Sequence, residues 1–189
     1  RPRATVSILP YIENSQKRKD GGLGLVDAGC ELENYASDIT RTFPVNGTFS
    51  KPQQALYELV LASQHAAIAA THPDNHWNVP HEKVVHILTQ GLLDLGLRRG
   101  EFNEVVETEA YRRLFMHRTG HWLGLDVHDV GDYRVQDQWR QLEPGMALTV
   151  EPGLYVAPDD DSVDEQWRGI GIRIEDDVVV TRDGCDVLT

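Results

Sequence analysis

Acidic side chains interrupt apolar, strand-like segments at four places, and this feature constrains the fold of the chain more than any other. The four residues are Asp27, Asp38, Glu151 and Glu175. An ionised carboxylate in a buried strand is strongly unfavourable unless it is paired with a cation or binds a metal. Four such residues in one small domain predict a shared counter-charge. This points to a carboxylate-rich site for two metal ions.

The composition is that of an ordinary globular domain with an acidic excess. The 189 residues, 40% of them hydrophobic, are enough for one domain with its own core. The 18 basic and 30 acidic residues give a net charge of −12, which argues against a nucleic-acid partner. No apolar run reaches the ~18 residues of a membrane span, so no membrane partner is predicted. Cys30 and Cys185 have no zinc-type spacing, and such sparse cysteine use predicts a reducing, cytoplasmic location.

The hydrophobic periodicity predicts an α+β domain. Ser50, Pro52 and Gln53 form a capping pattern that begins a first helix. A second amphipathic helix follows Asn78 and ends at Gly96. Apolar runs or alternation predict strands at residues 4–12, 23–28, 39–43, 121–128, 147–156 and 170–181. This order favours helices on one face of a mostly antiparallel sheet.

Taken singly, the acidic residues allow simpler interpretations. Asp27 and Asp38 flank a turn, and either alone is typical of a turn residue. If that connection joins neighbouring strands, however, both carboxylates reach the same point. Glu151, at the end of an apolar strand, is harder to explain without a partner. Arg173 and Glu175 are two residues apart and share a strand face, so a plain salt bridge is the alternative for that pair.

Three histidines lie in or near the apolar segment after residue 115. A lone histidine there is more often a hydrogen-bonded core residue than a ligand. His121, between glycines and beside Trp122, is the strongest ligand candidate. His128 follows seven residues later, so it reaches the same site only if the backbone turns between them. An oxygen-rich ligand set with one imidazole favours Mn²⁺, Co²⁺, Fe²⁺ or Zn²⁺, and two such ions suit amide hydrolysis.

Five blocks of sequence carry these residues and together form a specific pattern. They are residues 27–31, 37–44, 121–131, 142–155 and 168–177. Across these blocks the chain resembles the proline-specific metallopeptidases with the pita-bread fold, namely Xaa-Pro aminopeptidase (aminopeptidase P) and, less closely, prolidase. The resemblance implies a curved, mostly antiparallel sheet with helices on its outer face. It also implies that residues 1–189 form one catalytic domain, truncated at its N-terminus and lacking the family's first helices and separate N-terminal domain.

The resemblance implies a role for each ligand. Asp27 would bind one metal, Asp38 and Glu175 would bridge both, and the second metal would be completed by His121 and Glu151. A bridging hydroxide would attack the scissile carbonyl, with Glu151 as the proton carrier. The family usually runs on Mn²⁺, with Zn²⁺, Co²⁺ or Fe²⁺ as alternatives. Its substrates are peptides with proline at position two, and its members are often homo-oligomers.

Three further residues take roles from the same resemblance. His128 would contact the substrate and steady the tetrahedral intermediate, and His117 would form part of the wall around the proline ring. Arg173 would hold the carboxylates in place. Two positions depart from the family pattern: Pro10 stands where a histidine is usual, and Arg118 where a glycine is usual. The first departure predicts reduced activity, and the second a narrowed pocket or altered specificity.

Three alternatives to an Xaa-Pro aminopeptidase follow. A prolidase would cleave only Xaa-Pro dipeptides. A weakly active or non-catalytic pita-bread module would be expected to lose metal ligands, whereas all five are present here. A creatine-type hydrolase on the same fold works without metal and would have no need of them.

Overall fold

The computed structural model describes residues 19–189. The prediction for residues 4–12, and the departure at Pro10, lie outside the described residues. Three α-helices are present in the described part: α1 Lys51–Ala70, α2 Asn78–Asp94 and α3 Phe102–Glu107. The strands are β1 Leu23–Ala28, β2 Glu31–Leu32, β3 Tyr35–Ala36, β4 Ile39–Pro44, β5 Arg134–Val135, β6 Gln138–Trp139, β7 Ala147–Val150, β8 Gly153–Tyr155, β9 Gly171–Arg173, β10 Asp176–Val180 and β11 Cys185–Val187.

Helix α1 begins as its sequence predicts. The Ser50 hydroxyl accepts a hydrogen bond from the Gln53 backbone N–H, and the Gln53 side chain accepts one from the Ser50 N–H. Pro52 lies in the first turn, where the missing donor has no consequence. The apolar face that includes Leu56 and Val60 is fully buried, so packing against the rest of the domain stabilises the helix.

Helix α2 packs directly against α1 at a glycine. A Cβ on Gly91 would lie 2.4 Å from Leu59 Cδ1, so a larger residue at this position would require the Leu59 side chain to move. The predicted end of the helix is confirmed. Gly96 has φ +71°, and the Leu97 N–H returns to the Leu92 carbonyl, the arrangement in which glycine terminates a helix.

The predicted α+β architecture is confirmed, and every strand pair of the described residues is antiparallel. The strands form short ladders. β1 pairs with β4, β8 pairs with β9, and β10 lies between β7 and β11 and pairs with both. One longer ribbon of two strands is interrupted in both of them, because β7 and β8 are separated at residues 151–152 while β9 and β10, which pair with them, are separated at residues 174–175. A bridge between Thr40 and Glu175 joins the first ladder to this ribbon. Helix α1 lies against β7, β8 and β9.

The predicted strand over residues 121–128 is wrong. Only its first part runs beside β7, with one bridge between Trp122 and Leu148. The Gly124 N–H then bonds the Asp126 carbonyl, and the Asp129 N–H returns to the Trp122 carbonyl. These local bonds close a compact turn, which competes with strand pairing and brings His128 back towards the start of the segment.

Two further findings concern the described residues as a group. No helix within residues 19–189 combines the length and apolar character needed to cross a membrane. Cys30 and Cys185 are both free thiols.

Candidate metal centre

The five predicted metal ligands lie together at one end of the interrupted ribbon. Their donor atoms fall into groups of three in which all atoms are within 4.8 Å of one another. One group contains Asp27, Asp38 and Glu175, and a second contains His121, Glu151 and Glu175. A third joins Asp38 and His121 to His128. Glu175 therefore belongs to two groups, as a carboxylate shared between two ions would.

The β1–β4 ladder brings the two aspartates together. Asp27 pairs with Thr40, so their side chains leave the same face of the ladder. Asp38 lies two residues before Thr40, just beyond the final pair of Ala28 with Ile39. The register therefore places both aspartates at the same end of the ladder, where their carboxylate oxygens belong to one group of donor atoms.

The two glutamates meet because both ribbon strands break at the same level. Val150 pairs with Asp176 on one side of the break, and Gly153 pairs with Arg173 on the other. Glu151 and Glu175 lie in the gap between these pairs, outside the regular strand pairing. The break frees both side chains to turn towards the aspartates.

His121 directs its Nε2 atom towards the acidic groups. Its Nδ1 lies 3.0 Å from the Trp122 carbonyl, and since a carbonyl only accepts, Nδ1 carries the proton. Its Nε2 lies 3.5 Å from Asp38 Oδ2 and 4.0 Å from a carboxylate oxygen of each glutamate. A backbone partner that fixes the tautomer in this way is typical of histidine ligands to metals.

The electrostatics of the cluster indicate a missing positive charge. Burial, with further repulsion from the neighbouring acids, raises the pKa of Glu151 to about 7 and that of Glu175 to about 8. Burial also raises the pKa of Asp27. For Asp38 burial acts in the same direction, but hydrogen bonds with His121 and Asp27 outweigh it and lower the pKa. Carboxylates this close are stable as a set when a divalent cation lies among them, so the residues fit a metal centre.

Three of the four acidic residues are less buried than the sequence predicts. Of the four acidic residues, Glu175 alone is buried, at 2% exposure, whereas Asp38 and Glu151 are half-buried. Asp27 lies at an exposed rim because β1 has β4 as its only ladder partner among the described residues. Within residues 19–189 the cluster is thus exposed on the Asp27 side.

Arg173 supports the cluster but does not form the plain salt bridge with Glu175 that was the alternative interpretation. Its guanidinium binds the Asp27 carboxylate directly. It also donates to the Tyr155 hydroxyl at 3.1 Å and to the Thr40 hydroxyl at 3.2 Å. The Thr40 hydroxyl in turn donates to Glu175 Oε2 at 2.6 Å. Sequence reasoning missed Thr40 and Tyr155, because hydroxyl groups in β-strands carry no signal of their own.

His117 and His128 lie on different sides of the cluster. The ring of His117 is packed against Phe115 and Tyr155, with Nδ1 donating to the Arg118 carbonyl and Nε2 accepting from the Tyr155 hydroxyl. Burial lowers the pKa of His117 to about 4, so the ring is neutral. His128 is exposed, and its ring centroid is 4.2 Å from that of His121.

The side chain of Arg118 lies away from the cluster. Its guanidinium donates to the Asn78 side chain at the start of α2 and lies 5.1 Å from the centroid of the Trp139 ring. The guanidinium of Arg118 therefore has its partners at the start of α2 and at Trp139, whereas the neighbouring His117 lies 4.0 Å from Glu151; the expected effect of Arg118 on the pocket or on specificity stays a prediction.

The comparison with known families decides the classification. The model of metallopeptidase family M24 matches residues 4–182 of the chain. The chain belongs to metallopeptidase family M24. The chain is 54% identical over 182 residues to the Xaa-Pro aminopeptidase of Haemophilus influenzae. This match covers 96% of the chain and 42% of the relative.

Solved structures agree with this classification. The aminopeptidase PepP of Pseudomonas aeruginosa matches with a TM-score of 0.97 and 59% identity, covering 99% of this M24 chain and 42% of that structure. Proline aminopeptidase P II of Yersinia pestis matches with a TM-score of 0.94 and 51% identity, covering 99% and 43% of the two chains. The pita-bread fold is thereby confirmed. The M24 chain spans about two fifths of the length of these relatives.

Proposed function

We propose that residues 1–189 form the catalytic domain of an Xaa-Pro aminopeptidase, which hydrolyses the first peptide bond of peptides whose second residue is proline. One observation carries the proposal: the donor atoms of five ligands converge in two groups that share Glu175. The relatives named Xaa-Pro aminopeptidase, at 53% and 54% identity, support the substrate class.

The two groups indicate how two divalent ions would be held. Asp27, Asp38 and Glu175 would bind one ion, and His121, Glu151 and Glu175 the other, with Asp38 reaching both. We propose Mn²⁺, with Zn²⁺, Co²⁺ or Fe²⁺ as alternatives that the same donors accept. Two such ions would activate a water molecule and polarise the scissile carbonyl, as amide hydrolysis requires.

The protein's own groups would orient the substrate and carry the proton. Glu151 faces His121 through one carboxylate oxygen and His117 through the other, at 4.0 Å in each case. From there it would take the proton of the attacking water and deliver it to the nitrogen of the leaving proline. Exposed His128 would donate a hydrogen bond to the substrate carbonyl oxygen. Arg173 would keep Asp27 oriented through the direct ion pair.

The neutral ring of His117 supports the preference for proline. It has Phe115 and Tyr155 as aromatic neighbours, with ring centroids 5.1 and 5.4 Å away. Both of its nitrogens already have partners, so the ring presents an apolar edge to a ligand. We propose that this edge packs against the pyrrolidine ring of the substrate.

The substrate class is tested with three peptides offered side by side: Arg-Pro-Pro, Arg-Pro and Arg-Ala-Pro. We expect Mn²⁺-loaded protein to release arginine from Arg-Pro-Pro at least about tenfold faster than from the other two, since only this peptide offers both the proline ring and an extended chain. A Glu151→Gln variant purified in parallel controls for contaminating peptidases. Faster cleavage of Arg-Pro would instead identify a prolidase, and no cleavage of any peptide would contradict both assignments.

A further inference from the structure

Asp177 is a buried acid beside the cluster that has no place among the five proposed ligands. It is 2% exposed and lies in β10, opposite Thr149 of β7. Its Oδ2 accepts a hydrogen bond from the backbone N–H of Asp38 at 2.9 Å. Its Oδ1 is buried and has no hydrogen-bond partner among the described residues. A buried carboxylate is unfavourable enough that a specific task for it is expected.

The hydrogen bond falls where the backbone of Asp38 has little other support. The β1–β4 ladder ends one residue later, at the pair of Ala28 with Ile39. The preceding residue, Ser37, bonds instead to the Cys30 carbonyl, within the β2–β3 hairpin. Asp38 is thus the junction between two elements, and the side chain of Asp177 holds its amide from 139 residues further along the chain.

The other side of this junction is fixed by close packing. A Cβ on Gly29 would lie 1.8 Å from the Ser37 carbonyl oxygen, so the two segments are already in contact there. The peptide group between Ser37 and Asp38 is thus held from two sides, by close packing at Gly29 and by the hydrogen bond to Asp177. Held in this way, the Asp38 side chain lies 3.5 Å from His121 Nε2.

We propose that Asp177 is a positioning residue for Asp38, and that its hydrogen bond to the Asp38 amide sets the geometry in which Asp38 reaches both metal positions. The inference rests on the proposed function, because it assigns the purpose of the hydrogen bond to metal binding. It concerns the acceptor oxygen of the side chain. The negative charge of the side chain is not required for this role, because a neutral carbonyl oxygen accepts the same hydrogen bond.

Three variants of the purified protein separate this role from a general structural one. Asp177→Ala removes the acceptor, and Asp177→Asn keeps a carbonyl oxygen that accepts the same bond. Asp186→Ala, an exposed aspartate on the adjacent strand β11, is the matched control. Each is measured by titration calorimetry with Mn²⁺ and by the hydrogen-exchange rate of the Asp38 amide in metal-free protein.

We expect Asp177→Ala to speed exchange at Asp38 by about tenfold or more and to weaken Mn²⁺ affinity by about 10- to 100-fold, the range typical of lost support for a ligand. Peptide hydrolysis should then recover as the Mn²⁺ concentration is raised. Asp177→Asn should stay within about threefold of the unmodified protein in both measurements, since its oxygen replaces the lost acceptor. Asp186→Ala should match the unmodified protein.

Unchanged exchange or unchanged Mn²⁺ affinity in a folded Asp177→Ala protein would overturn the proposal. If that variant does not fold, the Asp177→Asn variant provides the test. Faster exchange of the Asp38 amide and weaker Mn²⁺ binding in Asp177→Asn would overturn the proposal, because this variant keeps the acceptor oxygen. Failure of the proposed function has a different signature: the unmodified protein itself would bind no Mn²⁺, while the exchange data would still report on the hydrogen bond.

Discussion

Replacing Glu151 with glutamine is expected to reduce hydrolysis of Arg-Pro-Pro by at least about a thousandfold, within the range that general acid–base catalysis contributes. A neutral amide neither carries the proton nor supplies charge to a metal. The metal-free variant should remain folded and melt no lower than the unmodified protein, because burial already raises the pKa of Glu151 to about 7 and so disfavours its charge. Initial rates and melting temperatures in the same buffer give both values.

The matched control is Glu143→Gln, the same chemical change at an exposed residue in the turn before β7. It should keep the hydrolysis rate of the unmodified protein within about twofold, as surface substitutions do. Full activity of the Glu151→Gln protein would remove Glu151 from the site. An equal loss of hydrolysis rate in Glu151→Gln and Glu143→Gln would show a general effect of replacing glutamate with glutamine, and no specific role for Glu151.

The second large effect is expected at a glycine that contributes no functional group. A Cβ on Gly120 would lie 2.0 Å from the Thr149 carbonyl oxygen and 3.0 Å from its carbon, both backbone atoms of β7. Neither segment can yield easily, because Thr149 also bonds His121 through its N–H. We expect Gly120→Ala to destabilise the fold by about 3 kcal/mol, the upper part of the range for overpacking. This corresponds to a melting temperature roughly 10 °C lower.

The clash at residue 120 should also push the neighbouring His121 away from the carboxylates, so Mn²⁺ affinity should fall together with stability. Gly184→Ala is the control, since a Cβ there has nothing within 4 Å. It should melt within about 2 °C of the unmodified protein. A Gly120→Ala protein with unchanged melting temperature and Mn²⁺ affinity would show that the His121 segment is not held against β7 as described.

The sequence was informative wherever a local pattern determines local structure. The capping residues before α1 and the glycine after α2 act through bonds that span only a few residues, so both helix boundaries could be predicted. The four acidic residues of the cluster could be found because charged groups within apolar segments violate a general rule and so stand out. Their burial could not be predicted, since exposure at Asp27 depends on which strands lie beside β1.

Other parts of the site depend on long-range register. The break that brings Glu151 opposite Glu175 arises from two segments more than twenty residues apart, and neither segment alone reveals it. The apolar residues after His121 predict a strand, whereas local backbone hydrogen bonds at Gly124 and Asp129 close a turn there. Thr40, Tyr155 and Asp177 were missed because their roles follow from contacts with distant backbone and side chains.

One measurement tests most directly whether the acidic cluster is a metal centre for peptide hydrolysis. Metal-stripped protein is incubated with Arg-Pro-Pro, with and without added Mn²⁺, and free arginine is quantified while Mn²⁺ binding is measured on the same sample. We expect two Mn²⁺ ions per chain and release of arginine only when the metal is present. Arginine release at the same rate without metal, or no stoichiometric Mn²⁺ binding, would contradict this account.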